Sequence, residues 1–164
     1  MDKLLMIAAP LGERLRRRKE TVAVSESSAG GLISAALLAQ AGASAYFLGG
    51  AVTYTGPARL GLVGITPEDM AGMRSSSEPY AMLLARRMRE RLGATWGLAE
   101  TGAAGPTGNR YGDAAGHSCL AISGPVEIVR TLETGMAGRW ENMLDFAAAA
   151  MALLGEGLDA AGQG

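Results

Sequence analysis

The run Ser25-Glu26-Ser27-Ser28-Ala29-Gly30-Gly31 separates a β-prone segment, Thr21-Val22-Ala23-Val24, from an apolar helical stretch that extends from Leu32 to Gln40. This order reads as a strand, a glycine-rich turn and a helix, the repeating unit of α/β folds. It puts small hydroxyls and one carboxylate at a helix N-terminus, where unpaired backbone N–H groups and the helix dipole favour negative charge. Two readings fit the run by itself. One is a serine that caps the helix beside a tight turn; the other is a site for an oxyanion, a phosphate or an activated serine.

A second segment weights the choice toward a site. Thr101-Gly102-Ala103-Ala104-Gly105-Pro106-Thr107-Gly108 follows another strand-like run, Thr95-Trp96-Gly97-Leu98-Ala99. Its glycines and proline suit neither a helix nor a central strand, so it is expected to be a shaped loop whose N–H groups form an anion-binding nest. Two such turns after two strands predict one shared cleft.

Further short motifs lie in the same chain: Gly42-Ala43-Ser44, then Gly49-Gly50, then Tyr54-Thr55-Gly56-Pro57-Ala58-Arg59, then Ser76-Ser77-Glu78-Pro79-Tyr80-Ala81. Taken in order with the two glycine turns, they resemble the C-terminal domain of the competence/damage-inducible protein CinA, and the resemblance covers about residues 5 to 155. Collinear agreement of several motifs is far more specific than any one of them. Active members of that family are nicotinamide-nucleotide amidases, which deamidate nicotinamide mononucleotide.

The resemblance implies that Ser27 is the nucleophile, with Tyr54 close by and a lysine as base at the position held here by Arg59. A guanidinium has no acceptor lone pair and stays protonated, so it cannot take a proton from a serine hydroxyl. Arg59 is instead suited to hold a carboxylate or phosphate bidentately, or it is a surface cation. The family's cysteine and threonine after the serine are Ser28 and Ala29, and a small or apolar residue before its Thr-Gly is Glu100. Glu100 or Glu26 is therefore expected to replace the lysine as base toward Ser27 or a water, the alternative for Glu100 being an ion pair with Arg59 or Arg110.

Implied substrate contacts are Ser28-Ala29-Gly30-Gly31 and Arg59 on one side, and Thr101, Gly102, Gly105, Thr107 and Gly108 on the other. N–H groups near Ala29, Gly30 and Gly105 would hold the oxyanion. Asn109, Arg110, Tyr111 and Asp113 either cover the ligand or form a solvated loop. No metal or other cofactor is required.

Composition narrows the alternatives. A net charge of −1 lacks the basic footprint of a nucleic-acid binder. The cluster Arg14, Arg16, Arg17, Arg18, Lys19 reads as the solvated face of a first helix. A lone Cys119 and a lone His117 give no disulfide, zinc constellation or Ser-His-Asp triad, and both read as satisfied strand residues. No apolar run reaches the roughly 20 residues of a membrane span, and the expected location is the cytoplasm.

Periodicity predicts helices at about 5–19, 30–40, 58–62, 78–92 and 139–154, strands at 21–25, 46–54, 95–100, 117–123 and 126–131, and a frayed tail over 155–164. Strands that alternate with helices early and pair by a hairpin late predict a single domain, a three-layer α/β/α sandwich around a mixed, mostly parallel five-stranded sheet. Ser27, Tyr54 and Thr101 then fall at the carboxyl ends of strands, where open sheets bind ligands. The expected partner is a small-molecule pyridine nucleotide. A regulatory or nucleotide-binding paralogue without turnover is the other functional reading, and the Met- and Ala-rich last helix suggests a homo-oligomer.

Overall fold

The computed structural model describes residues 1–162 of the chain. Five strands, β1 (Val22–Glu26), β2 (Phe47–Val52), β3 (Trp96–Ala103), β4 (His117–Ser123) and β5 (Ile128–Glu133), form one sheet in the order β2-β1-β3-β4-β5. β1 pairs in parallel with β2 and β3, β3 and β5 flank β4 in antiparallel register, and only β4 runs against the rest. The expected mixed sheet is therefore present. Connections leave β1 toward one edge while β3 lies on its other side, which opens a crevice at the carboxyl ends of both strands.

Helices α1 (Asp2–Arg18), α2 (Leu32–Leu38) and α5 (Arg139–Ala160) cover one face, and α3 (Gly56–Val63) and α4 (Glu78–Leu92) the other. Side chains alternate across a strand, so Val22, Val24, Leu98 and Ile122 enter the first core while Ala23, Ala99 and Ala121 enter the second. The small residues on the α4 side let that helix lie close to the sheet, and α4 has the predicted bounds. Its Tyr80, Leu84 and Met88 are buried in one stripe.

Most other boundaries move by one to three residues from expectation, and two of the differences have a plain physical cause. β3 continues through Thr101 and Gly102 to Ala103, residues expected in a loop, because their backbone groups pair with Cys119, Ser118 and His117 of β4. α5 does not stop at Leu154. Leu158 is buried, and the last turn is held by Arg18 donating to the Leu158 carbonyl at 2.7 Å and by an Arg14–Asp159 ion pair at 2.5 Å, cations well placed at a helix C-terminus. Part of the basic cluster thus anchors this helix, the expected frayed tail is helical to Ala160, and residues 163–164 lie outside the described residues. On the apolar face of the last helix that suggested self-association, Ala147, Met151 and Leu154 are turned into the core, and Met143 and Leu144 pack against it partly buried. No helix among the described residues is long and apolar enough to cross a membrane.

Candidate functional site

β1 ends on Glu26, and Glu100, one residue past the Ser25–Ala99 pair on the neighbouring β3, faces the same side of the sheet. Glu26 is fully buried, and its carboxylate accepts from the N–H groups of Gly31 (3.1 Å), Ile33 (2.9 Å) and Ser34 (2.9 Å) and from the Ser34 hydroxyl (2.6 Å). These are the orphan donors of the α2 N-terminus, so a side chain rather than a ligand satisfies them. The turn can wrap the acid because Gly30 and Gly31 hold φ of 67° and 99°.

Glu100 is also fully buried. One of its oxygens accepts from the N–H groups of Ser27 (3.0 Å) and Ala29 (2.8 Å), the other from the hydroxyls of Ser28 and Ser118, the latter at 3.2 Å. Burial pushes its pKa above the ordinary carboxylate value, against hydrogen bonds from Ser28, Ala29 and Ser27 that pull it down. Neither expected partner arginine pairs with it.

Several expectations change on this geometry. Glu26 is spent on the helix N-terminus and reaches no substrate space. Glu100 meets Ser27 through the backbone N–H and meets the hydroxyl of Ser28 instead. The N–H of Ala29 donates to Glu100 and that of Gly30 to the Ser27 carbonyl, so neither is free for an oxyanion. Ala29 is a core residue, Gly30 is exposed, and none of Ala29, Gly30 and Gly31 lines either chamber.

The cleft has two chambers. The first, about 430 Å³, brings Ser27, Tyr54 and Thr101 together as expected, with Arg59, Ser75, Ser76 and Tyr80 on one wall and Asn109, Arg110 and Tyr111 on another. The second, about 290 Å³, is lined by Ser28, the Gly105 to Gly108 loop and Arg139. Tyr54, Gly102 and Asn109 border both, so the two are continuous. Thr107 and Gly108 join the second chamber, and Gly102 sits between them. Volumes of this size suit a small metabolite.

The first chamber is electropositive. Arg59 lies 5.6 Å over the Tyr80 ring, its Nε is buried without a hydrogen-bond partner, and its Nη1 reaches the Ser75 hydroxyl at 3.4 Å. Arg110 donates to the Tyr111 hydroxyl at 3.0 Å, and this contact, helped by Ser75, pulls the phenol below its usual pKa. Among the described residues neither arginine ion-pairs with a carboxylate, and no carboxylate lines the chamber. Two guanidiniums that line one cleft without a carboxylate partner favour an anion there.

The loop from Asn109 to Asp113 is folded rather than loosely solvated. The Asn109 amide oxygen accepts from the N–H groups of Tyr111 and Asp113, and Arg74 grips Asp113 bidentately at 2.6 and 3.0 Å while lying 5.4 Å over Tyr111. His117 and Cys119 are buried strand residues, as expected. The His117 ring meets acceptors at both nitrogens, the Glu133 carboxylate at Nδ1 and the Ser76 carbonyl at Nε2 (2.9 Å), with Asp113 at 3.6 Å.

Only the imidazolium satisfies both nitrogens of His117. Burial disfavours the charge, but Glu133, the Ser76 carbonyl and Asp113 together outweigh it and hold the pKa above the ordinary 6.5. A raised folded value means the stabilisation is complete below 6.5 and lost as pH rises through that higher value. The stability difference between wild type and His117→Gln should therefore be larger near about pH 5.5 than near about pH 8.5. Paired urea titrations check this, and equal differences at both pH values would count against it.

Sequence reasoning missed Ser75 and Tyr80 as chamber walls and Arg139 altogether. Arg139 opens α5, donates to the Gly105 carbonyl at 2.7 Å and to the Tyr54 hydroxyl at 3.2 Å, and so ties two walls together. A cation in a first helical turn opposes the helix dipole, and that mismatch was its one visible signal.

A model of the CinA C-terminal domain matches residues 5–158. A CinA-like protein of Trichormus variabilis is 35% identical over 127 residues, 77% of this chain and 30% of that protein. Another, of Myxococcus xanthus, is 38% identical over 141 residues, 86% of this chain and 34% of that protein. The chain thus spans about a third of the length of these curated relatives. Among solved structures, the competence/damage inducible protein CihA from Agrobacterium tumefaciens superposes with a TM-score of 0.87 at 28% identity and covers 96% of each chain. A CinA superfamily protein from Klebsiella pneumoniae gives 0.88 at 25% identity over 95% of this chain and 98% of that one.

Proposed function

Because this chain belongs to the CinA C-terminal domain family, we propose that its cleft hydrolyses the carboxamide of nicotinamide mononucleotide or a related pyridine nucleotide and releases ammonia. The observation that carries this reading is that Arg59 and Arg110 line one chamber that holds no carboxylate, and among the described residues neither is ion-paired. It supports binding of the nucleotide phosphate there, by charge-assisted hydrogen bonds.

With the phosphate so placed, the carboxamide reaches toward the serines at the junction of the two chambers. Tyr54 and Gly102 border that junction, and Thr101 backs it. The N–H groups of Gly105, Thr107 and Gly108 donate to no acceptor among the described residues, which supports a role in receiving the carbonyl oxygen as it gains charge. Overall, one water is consumed and the amide becomes a carboxylate and ammonia.

Arg59→Ala should weaken nicotinamide mononucleotide binding about tenfold to a hundredfold, the value of one or two lost charge-assisted contacts. Calorimetric titration checks this, and unchanged affinity would remove the phosphate assignment. Turnover itself is tested by ammonia release from that nucleotide by the purified chain.

A second reading, a nucleotide-binding or regulatory module without turnover, is favoured by one feature. Ser27 borders the first chamber, but its hydroxyl meets no proton acceptor among the described residues, and Arg59 cannot be one. A ligand-induced melting shift without ammonia would select this reading.

A further inference from the structure

We infer that Ser28, not Ser27, is the attacking hydroxyl, and that the buried Glu100 carboxylate is the base that takes its proton. The inference rests on the amidase reading and names the reacting pair of that same site.

The two oxygens of Glu100 have different duties. One is fixed by the N–H groups of Ser27 and Ala29, which lock the carboxylate and the turn together. The other faces the hydroxyls of Ser28 and Ser118, which can rotate. Among the described residues, Glu100 is the one carboxylate bonded to a hydroxyl that lines either chamber.

Ser28 is nearly enclosed but borders the second chamber, opposite the loop whose Gly105 and Thr107 N–H groups lack acceptors. A nucleophile hydrogen-bonded to a base held by a third group is the general arrangement for an activated serine. Here the backbone of Ser27 and Ala29 is the holding group. Ser118, on the neighbouring strand, gives the same oxygen a second donor, which steadies it as charge moves.

The chemistry balances without another reactant than water. As Ser28 Oγ bonds to the carboxamide carbon, its proton passes to Glu100 and the carbonyl π electrons move to oxygen. Collapse of that adduct breaks the C–N bond, and the proton leaves with the nitrogen as ammonia. Water then adds to the Ser28 ester, gives a proton to Glu100, and expels Ser28 Oγ, which recovers that proton as the carboxylic acid forms. Burial raises the affinity of Glu100 for a proton, which improves it as an acceptor over an exposed carboxylate.

The experiment is labelling with a serine-directed fluorophosphonate, the modified peptide being mapped by mass spectrometry, alongside ammonia release from nicotinamide mononucleotide. Expected are label on Ser28 in wild type and Ser27→Ala, none in Ser28→Ala, and labelling at least about a hundredfold slower in Glu100→Gln. In wild type the labelling rate should rise with pH through one ionisation above the ordinary carboxylate range, a readout that needs no folded Glu100 variant. Label on Ser27, label on neither serine, a rate without that ionisation, or undiminished labelling of a folded Glu100→Gln would each overturn the pair. Ammonia release with label on Ser27 keeps the amidase and discards the pair; label on Ser28 without ammonia keeps the pair and discards this substrate.

Discussion

Glu26→Ala should lower the free energy of unfolding by about 3–5 kcal/mol, because it leaves three N–H groups of the α2 N-terminus without their acceptor, that of Ile33 buried and those of Gly31 and Ser34 partly buried. No neighbouring side chain can replace the lost oxygens, since Glu100 already accepts four donors of its own. Glu26→Gln keeps one acceptor oxygen but turns an amide NH2 toward the Ser34 donors, so it should cost an intermediate amount. Urea unfolding checks both, and a midpoint shift with little change in slope is the expected form. A loss below about 1 kcal/mol in the alanine variant would show that water or a shifted turn satisfies those donors.

The second large effect lies under α4. A Cβ on Gly97 would sit far inside van der Waals contact of the Ala85 carbonyl oxygen, and 2.7 Å from its carbon. Both partners are backbone, so nothing can yield except the helix itself. Gly97→Ala is expected to cost about 3 kcal/mol or more and to push α4 outward, moving Tyr80 and with it the support under Arg59. Gly61→Ala is the matched control: it lies inside α3 with nothing within 4 Å of the added carbon, and it should gain about 0.5–1 kcal/mol from helix propensity. Thermal unfolding of the two variants should move in opposite directions, and a neutral Gly97→Ala would refute the close packing of α4 on β3.

Much of this frame is legible in the sequence. The four-apart spacing of Tyr80, Leu84 and Met88, with Pro79 in the first turn, fixes α4 to the residue, and the turn at Gly124-Pro125 marks the β4–β5 hairpin. Convergence of Ser27, Tyr54 and Thr101 follows from their places at strand ends. What local pattern cannot carry is pairing between distant segments. The continuation of β3 into Thr101-Gly102 depends on β4, and the continuation of α5 to Ala160 depends on Arg14 and Arg18 of α1.

The same limit explains the acids. Glu26 and Glu100 both read as candidate bases because each is a carboxylate at a strand end in a glycine-rich setting. Their duties separate only in three dimensions: alternation along β1 and β3 points both beneath the serine turn, where one meets the helix N-terminus and the other meets Ser28. Arg139 showed only as a cation at a helix start, because its contacts, to Gly105 and Tyr54, span 34 and 85 residues of chain.

The turn that carries both serines is nailed to two interior acids, whereas the facing wall, Ser75 with Arg110 and Tyr111, hangs on surface contacts such as the Arg74 clasp on Asp113. Diversification of this scaffold should consequently proceed on one side alone. Laboratory selection for a different amide should accumulate its changes at 75–76 and 109–111 and leave 26–31 untouched, as a lathe keeps its chuck and changes its tool.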